Sequence, residues 1–225
     1  MREVLEKKVL SENDRLAAEL RHRYREQRIL CVNLISSPGS GKTALLEKTL
    51  GSFAQGTPVA VLSGDLQTDN DARRLARYGF PVRQIVTGGT CHLDARMVER
   101  HLNDLGFRGP GLLFVENVGN LVCPSSYDLG EAAKIVLLSV TEGEDKPLKY
   151  PGIFHRSSLM ILTKIDLLPH VDFNPELAFE NARKIHPEME YIALSSRTGE
   201  CFDKWLRWLD ALQQKVQQPA AAINS

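Results

Sequence analysis

Residues 29–50 read Ile29-Leu-Cys-Val-Asn-Leu-Ile35, then Ser36-Ser-Pro-Gly-Ser-Gly-Lys-Thr43, then Ala44-Leu-Leu-Glu-Lys-Thr-Leu50. An apolar, β-branched run feeds a glycine-rich loop and then a helical pattern, the context in which a phosphate-binding loop becomes credible. Gly39 and Gly41 let backbone N–H groups turn inward around phosphate oxygens, with Ser40 and Ala44 completing the cradle. Lys42 brings a point charge to the outer phosphates, and the Thr43 hydroxyl suits Mg2+. The loop departs from the usual pattern at Ser36, where glycine is customary; serine takes that position if its φ is negative. A glycine loop that binds nothing is the plain alternative, and the agreement of strand, loop and helix argues against it.

The 225 residues allow one sizeable core, and 43% hydrophobic with 25% charged is ordinary for a globular domain. Lys+Arg and Asp+Glu both number 28, so no net field draws in nucleic acid or an anionic membrane surface. No apolar run approaches the roughly 20 residues that span a bilayer, and the charged start lacks the apolar centre of a signal peptide, so a cytoplasmic protein is expected. Cys31, Cys91, Cys123 and Cys201 are widely spread, which reads as reduced thiols or metal ligands rather than a disulfide frame.

Working outward, residues 1–28 form a helical extension, with an amphipathic helix expected over 12–27 from the spacing of Leu16, Ala17 and Leu20. The domain proper is expected over 29–216, with a disordered tail at 217–225. Further strands are expected at 59–62, 82–86, 112–115, 133–140, 159–162 and 191–194, with helices at 71–78, 93–105, 175–185 and 202–216. Apolar strands alternating with helices predict an α/β fold, a three-layer P-loop NTPase with a mainly parallel sheet and helices on both faces. Ligands in such sheets sit beyond the carboxyl ends of the strands, and the polar clusters fall there.

Asp65 lies just past one such end and Glu116 closes the apolar run 112–115. Carboxylates at these places suit Mg2+ and the positioning of an attacking water, while Gly119 leaves an N–H free to approach a γ-phosphate. Each acid taken alone also reads as a solvated loop residue. Thr163-Lys-Ile-Asp166 resembles the Asn-Lys-x-Asp signature of GTP-binding proteins, in which the acid accepts from guanine N1 and N2; Thr163 is the departure. Ser195 and Ser196 fall where such proteins lay a short loop over the base. Cys91-His92 is read as opening a helix, which favours thiolate, and Cys123 follows 32 positions on. Two sulfurs and an imidazole suit Zn2+ or Ni2+ with an open fourth position, although buried packing is the commoner role of cysteine. His22, His101, His155, His170 and His186 show no ligand spacing.

The strings Gly64-Asp-Leu-Gln-Thr-Asp-Asn-Asp71, Thr87-Gly-Gly-Thr-Cys-His-Leu-Asp-Ala95, Phe114-Val-Glu-Asn-Val-Gly-Asn-Leu-Val-Cys-Pro124, Val140-Thr-Glu-Gly-Glu-Asp-Lys-Pro147 and Lys164-Ile-Asp-Leu-Leu-Pro169 join the phosphate loop in one pattern. From residue 29 to 208 the chain resembles the HypB family of hydrogenase nickel-incorporation GTPases, a SIMIBI-class P-loop group. The resemblance implies a low-turnover GTPase, using GTP/GDP and Mg2+, that dimerises with nucleotide and metal and holds nickel or zinc at the subunit interface. It implies delivery of nickel to a [NiFe]-hydrogenase large subunit together with a HypA-type nickel chaperone. By the same implication Cys91, His92 and Cys123 are metal ligands, Lys42, Thr43, Lys164 and Asp166 bind GTP, and Lys146 reaches the guanine site. Residues 1–28 hold no cysteine and one histidine, so an additional nickel store is not expected. Rival readings are a urease-type metallocentre GTPase, a P-loop small-molecule kinase, and a metal-binding protein that does not turn over nucleotide.

Overall fold

The computed structural model describes residues 2–67 and 69–217, with side chains described from residue 7. The residues beyond 217, where the tail is expected, lie outside that range. The chain runs α1 (Arg2–Glu26), β1 (Ile29–Ser36), α2 (Lys42–Gly51), β2 (Val59–Asp65), α3 (Asn70–Ala76), β3 (Val82–Val86), α4 (Ala95–Leu105) and β4 (Gly111–Glu116). It continues through β5 (Ala133–Ser139), α5 (Lys146–Lys149), α6 (Pro151–Arg156), β6 (Leu159–Thr163), α7 (Pro175–Ile185), β7 (Glu190–Ala193) and α8 (Phe202–Gln217). The seven strands form one sheet in the order β3-β2-β4-β1-β5-β6-β7, and every pairing is parallel.

All eight residues of β1 are buried, because helices cover both faces of the strand. Alternate residues serve opposite layers. Leu30, Val32 and Leu34 pack with Leu45 and Leu46 of α2 and Trp205 of α8. Cys31 faces the other way, into a cluster with Leu16 and Leu20 of α1 and Val98 and Leu102 of α4. Ile35, one turn of the pleat later, joins Phe154 of α6 and Phe179 of α7. The α8 layer is tied down by Trp205, fully buried, whose Nε1 donates to Thr49 Oγ1 on α2 at 2.9 Å. Trp208 stacks beside it.

Several boundaries differ from expectation. Helix α1 begins ten residues before position 12 and ends at Glu26, its exposed face bridged by Arg15 to Glu12 and Glu19. Strand β2 extends through Ser63 and Gly64, so Asp65 is its last residue rather than one beyond it. Helices α5 and α6 occupy a stretch in which the sequence shows no periodicity; each starts on a proline-bearing first turn. Among the described residues no helix is long and apolar enough to cross a membrane.

Candidate functional site

The carboxyl ends of β1, β2, β4 and β6 deliver Ser36, Asp65, Glu116 and Thr163 to one rim of the sheet. Between β1 and α2 the chain turns through Gly39 (φ 75°) and Gly41 (φ 97°), a left-handed conformation that a Cβ would strain. Ser36 stays in the strand, and its hydroxyl accepts from the Lys42 ammonium at 2.9 Å. The serine thus gives the lysine a partner while leaving the turn to the glycines. Burial pushes the Lys42 ammonium below its usual range, opposed by the nearby charges of Glu116, Asp71, Glu142 and Asp65.

Glu116 is buried, level with Leu34 on β1 and Ser63 on β2. Its two oxygens accept from Thr43 Oγ1 at 2.6 Å and Ser63 Oγ at 2.8 Å. Burial raises its pKa, while Lys42 and the two hydroxyls pull it back. A cavity of about 470 Å³ opens over these groups, lined by Gly41, Lys42, Thr43, Asp65, Glu116 and Gly119 among others. Gly119 lies so close to the phosphate loop that a Cβ there would meet Pro38 Cα at 3.1 Å.

A second cavity of about 320 Å³ adjoins it, lined by Gly41, Ala44, Thr163, Lys164, Asp166 and Ser196. Here the Thr163 hydroxyl donates to Ser40 O at 2.7 Å and Lys164 Nζ to Gly39 O at 2.7 Å, so both stitch the β6 end to the phosphate loop. Lys164 adopts φ 60°, which turns the chain so that Asp166 follows on the cavity wall. Asp166 Oδ1 accepts from the buried Ser195 hydroxyl at 2.6 Å. Lys146 stands elsewhere: its Nζ is 3.3 Å from Glu142 Oε2 and 3.4 Å from Ser37 Oγ of the phosphate loop, and it does not line the Asp166 cavity. Glu142 escaped the sequence reading, although it lies within the quoted 140–147 string. It accepts from Ser40 Oγ at 2.7 Å and from Ser139 N at 3.1 Å, bracing the loop from a position 102 residues away in sequence.

Cys91, His92 and Cys123 converge, their ligand atoms all within 4.8 Å of one another and half-buried. Two corrections apply to the sequence reading. Cys91 and His92 do not open a helix: α4 starts at Ala95, capped by Asp94, whose Oδ1 accepts from Met97 N at 2.8 Å. Aspartate is the stronger cap, and Leu93 is fully buried before the helix begins. Cys91 and Cys123, read as reduced thiols or metal ligands rather than a disulfide, stand in disulfide contact with Cα atoms 6.3 Å apart, within ordinary bridging distance, and the same two sulfurs belong to the ligand cluster with His92. Two sulfurs brought this close from separate loops either share a bond or, once reduced, present two soft donors to one ion. His92 stacks on Tyr127 with ring centroids 3.7 Å apart, a contact absent from the sequence reading. Burial lowers the His92 pKa, against Asp94, and so favours the neutral ring, the form that ligates a metal.

A model of the CobW/HypB/UreG nucleotide-binding domain matches residues 30–193, from the second residue of β1 to the last of β7. Hydrogenase maturation factor HypB of Azotobacter chroococcum mcd 1 is 52% identical over 206 residues, which span 92% of this chain and 68% of that protein. The corresponding factor of Escherichia coli K12 is 52% identical over 202 residues, 90% of this chain and 70% of that one. Among solved structures, HypB from Helicobacter pylori in complex with nickel superposes with a TM-score of 0.84 at 40% identity, covering 93% of this chain and 98% of that one. With the sheet inside the domain match from the second residue of β1 onward and half of the residues shared along nine-tenths of its length, the chain belongs to the HypB family of hydrogenase maturation factors.

Proposed function

We propose that this chain is a low-turnover GTPase that carries nickel, or alternatively zinc, and delivers nickel during [NiFe]-hydrogenase maturation. The observation that carries the reading is the shared segment 116–123, which begins at the Glu116 carboxylate of the phosphate cavity and ends at the Cys123 sulfur of the metal cluster. Cys123 lies only four positions after Gly119, so about 14 Å of chain at most lies between the γ-phosphate side and the metal ligand. So short a tether limits how far one end can move without drawing on the other.

The residues take separate roles. Gly39, Ser40, Gly41 and Ala44 wrap the phosphates in backbone N–H groups, and Lys42 exchanges its Ser36 partner for phosphate oxygens. Asp166 selects guanine by accepting from its N1 and N2 groups, with Ser195 orienting the acid and Ser196 and Lys164 flanking the base. Thr43, Asp65 and Glu116 present hard oxygen donors around one cavity, a set that fits Mg2+. When bound, Mg2+ would supply charge neutralisation on the β- and γ-phosphate oxygens. Asp65 and Glu116 orient the attacking water; its oxygen bonds to the γ-phosphorus, the bond to the bridging oxygen breaks, GDP leaves with the electron pair, and the water's proton passes to an oxygen of the released phosphate. Nickel is cargo, held by Cys91, His92 and Cys123 in the reduced protein.

On this reading the chain works as a homodimer whose assembly depends on nucleotide and metal, with Lys146 reaching a guanine site in that assembly. It acts with a HypA-type nickel chaperone on the hydrogenase large subunit, in the cytoplasm, without nucleic acid or membrane. The test is hydrolysis of GTP against ATP by reduced protein, with and without Ni2+, alongside Ni2+ titration of the GTP-analogue and GDP forms. GTP preference with different Ni2+ affinities in the two forms is expected. Preference for ATP points to the kinase, and no turnover to a simple metal-binding protein.

A further inference from the structure

Coupling of nucleotide to metal requires a physical link between the two sites, and one buried side chain stands where both loops meet. Asn117, 1% exposed, follows Glu116 at the end of β4. Its Oδ1 accepts from Leu93 N at 3.1 Å and from Val118 N at 3.0 Å. Its Nδ2 donates to Asn33 Oδ1 at 3.3 Å, and Asn33 in turn donates to Glu131 Oε1 at 3.1 Å, so the amide is held in one orientation from both sides. Leu93 is the residue after His92, and its side chain fills the space over Gly64, where a Cβ would meet three Leu93 atoms at 2.9 Å. Leu93 therefore covers the end of β2 with its side chain while its N–H is tied to the residue that follows β4, the strand paired with β2. Its backbone N–H is satisfied by a side chain that belongs to the nucleotide-responsive segment.

We infer that Asn117 is a positioning residue that fastens the Cys91-His92 loop to the segment bearing Glu116 and Gly119, and that this fastening carries the nucleotide dependence of metal affinity. Movement of 116–119 on loss of the γ-phosphate drags or releases Leu93 N, and the ligands Cys91 and His92 move with it. The inference rests on the proposed function, since it assigns the route by which that function's two sites communicate.

The experiment measures Ni2+ dissociation constants of reduced full-length protein loaded with a non-hydrolysable GTP analogue and with GDP. Coupled sites differ by roughly 5- to 150-fold between such states. In Asn117→Ala that ratio is expected to fall below about threefold, with affinity for each nucleotide kept within about threefold. Leu209→Ala, a core change in α8 and in a different apolar cluster from Leu93, is expected to lower thermal stability and leave the ratio as in the parent, which separates fastening from general loosening. Should Asn117→Ala fail to fold, Asn117→Ser keeps a hydroxyl for Val118 N yet is too short for Leu93 N, and the same collapse is expected. A parental ratio retained in either folded variant overturns the role of Asn117 alone. A ratio of one in the parent overturns the coupling itself, and with it the proposed function.

Discussion

Lys42, Ser36, Thr163 and Ser195 are buried and hydrogen-bonded to one another's segments, whereas Cys91, His92 and Cys123 meet half-exposed from two loops. The first region has its polar groups paired within the chain, so it stands ready for phosphate and base with little rearrangement. In the second, the ligand atoms depend on where segments 88–94 and 119–123 happen to lie. The difference teaches that one site can be stiff while its neighbour responds, if the two share a short stretch of chain. On the proposed function, stiffness gives selectivity for the nucleotide, and the looser cluster lets cargo be gripped or let go.

The contrast can be broken by substitution. The largest expected effect is on the stiff side: Trp205→Ala removes a fully buried ring and the Thr49 contact beneath α2, costing about 3–5 kcal/mol in denaturant unfolding. A cost under about 1 kcal/mol would show that α8 does not support the cradle. Next, Lys42→Ala is expected to weaken GTP binding at least about a hundredfold, about 2.7 kcal/mol by titration with a fluorescent analogue. Undiminished affinity would falsify the assignment of the loop. On the looser side, Cys91→Ala and Cys123→Ala are each expected to weaken Ni2+ binding to reduced protein by about tenfold or more, about 1.4 kcal/mol, with GTP affinity unchanged. Oxidised wild-type protein should show the same deficit until a reductant opens the Cys91–Cys123 pair, and equal Ni2+ uptake before and after reduction would remove both sulfurs from the ligand set. The smallest effect is at Tyr127→Leu, which removes the ring under His92 and should cost about 0.5–1.5 kcal/mol of metal affinity.

Much of this frame could be read from the chain without coordinates. The buried strands announce themselves as apolar runs that stop at Gly, Ser or an acid, and the rim residues follow from those stops. Short helices such as α5 and α6 escaped because four and six residues are too few to show a period. Leu93 misled in a different way: it fits the apolar stripe of α4 yet spends its side chain on Gly64, so the helix start was placed before its Asp94 cap. Glu142 and Asn117 carry no local signal, because what they do is contact segments far away in sequence. The union of Cys91 with Cys123 likewise depends on two loops coming together, which spacing alone leaves undetermined.

Asn13 on α1 holds two distant places at once, accepting from Ala95 N at 2.9 Å and donating to Asp128 O at 2.9 Å, while Leu16, Ala17 and Leu20 lie in the core. A clone trimmed to start at β1 would strip the first turn of α4 of one of its N–H partners and bare a greasy stripe to water. The leading helix is thus masonry rather than ornament, and a truncation from that end has to stop short of Asn13.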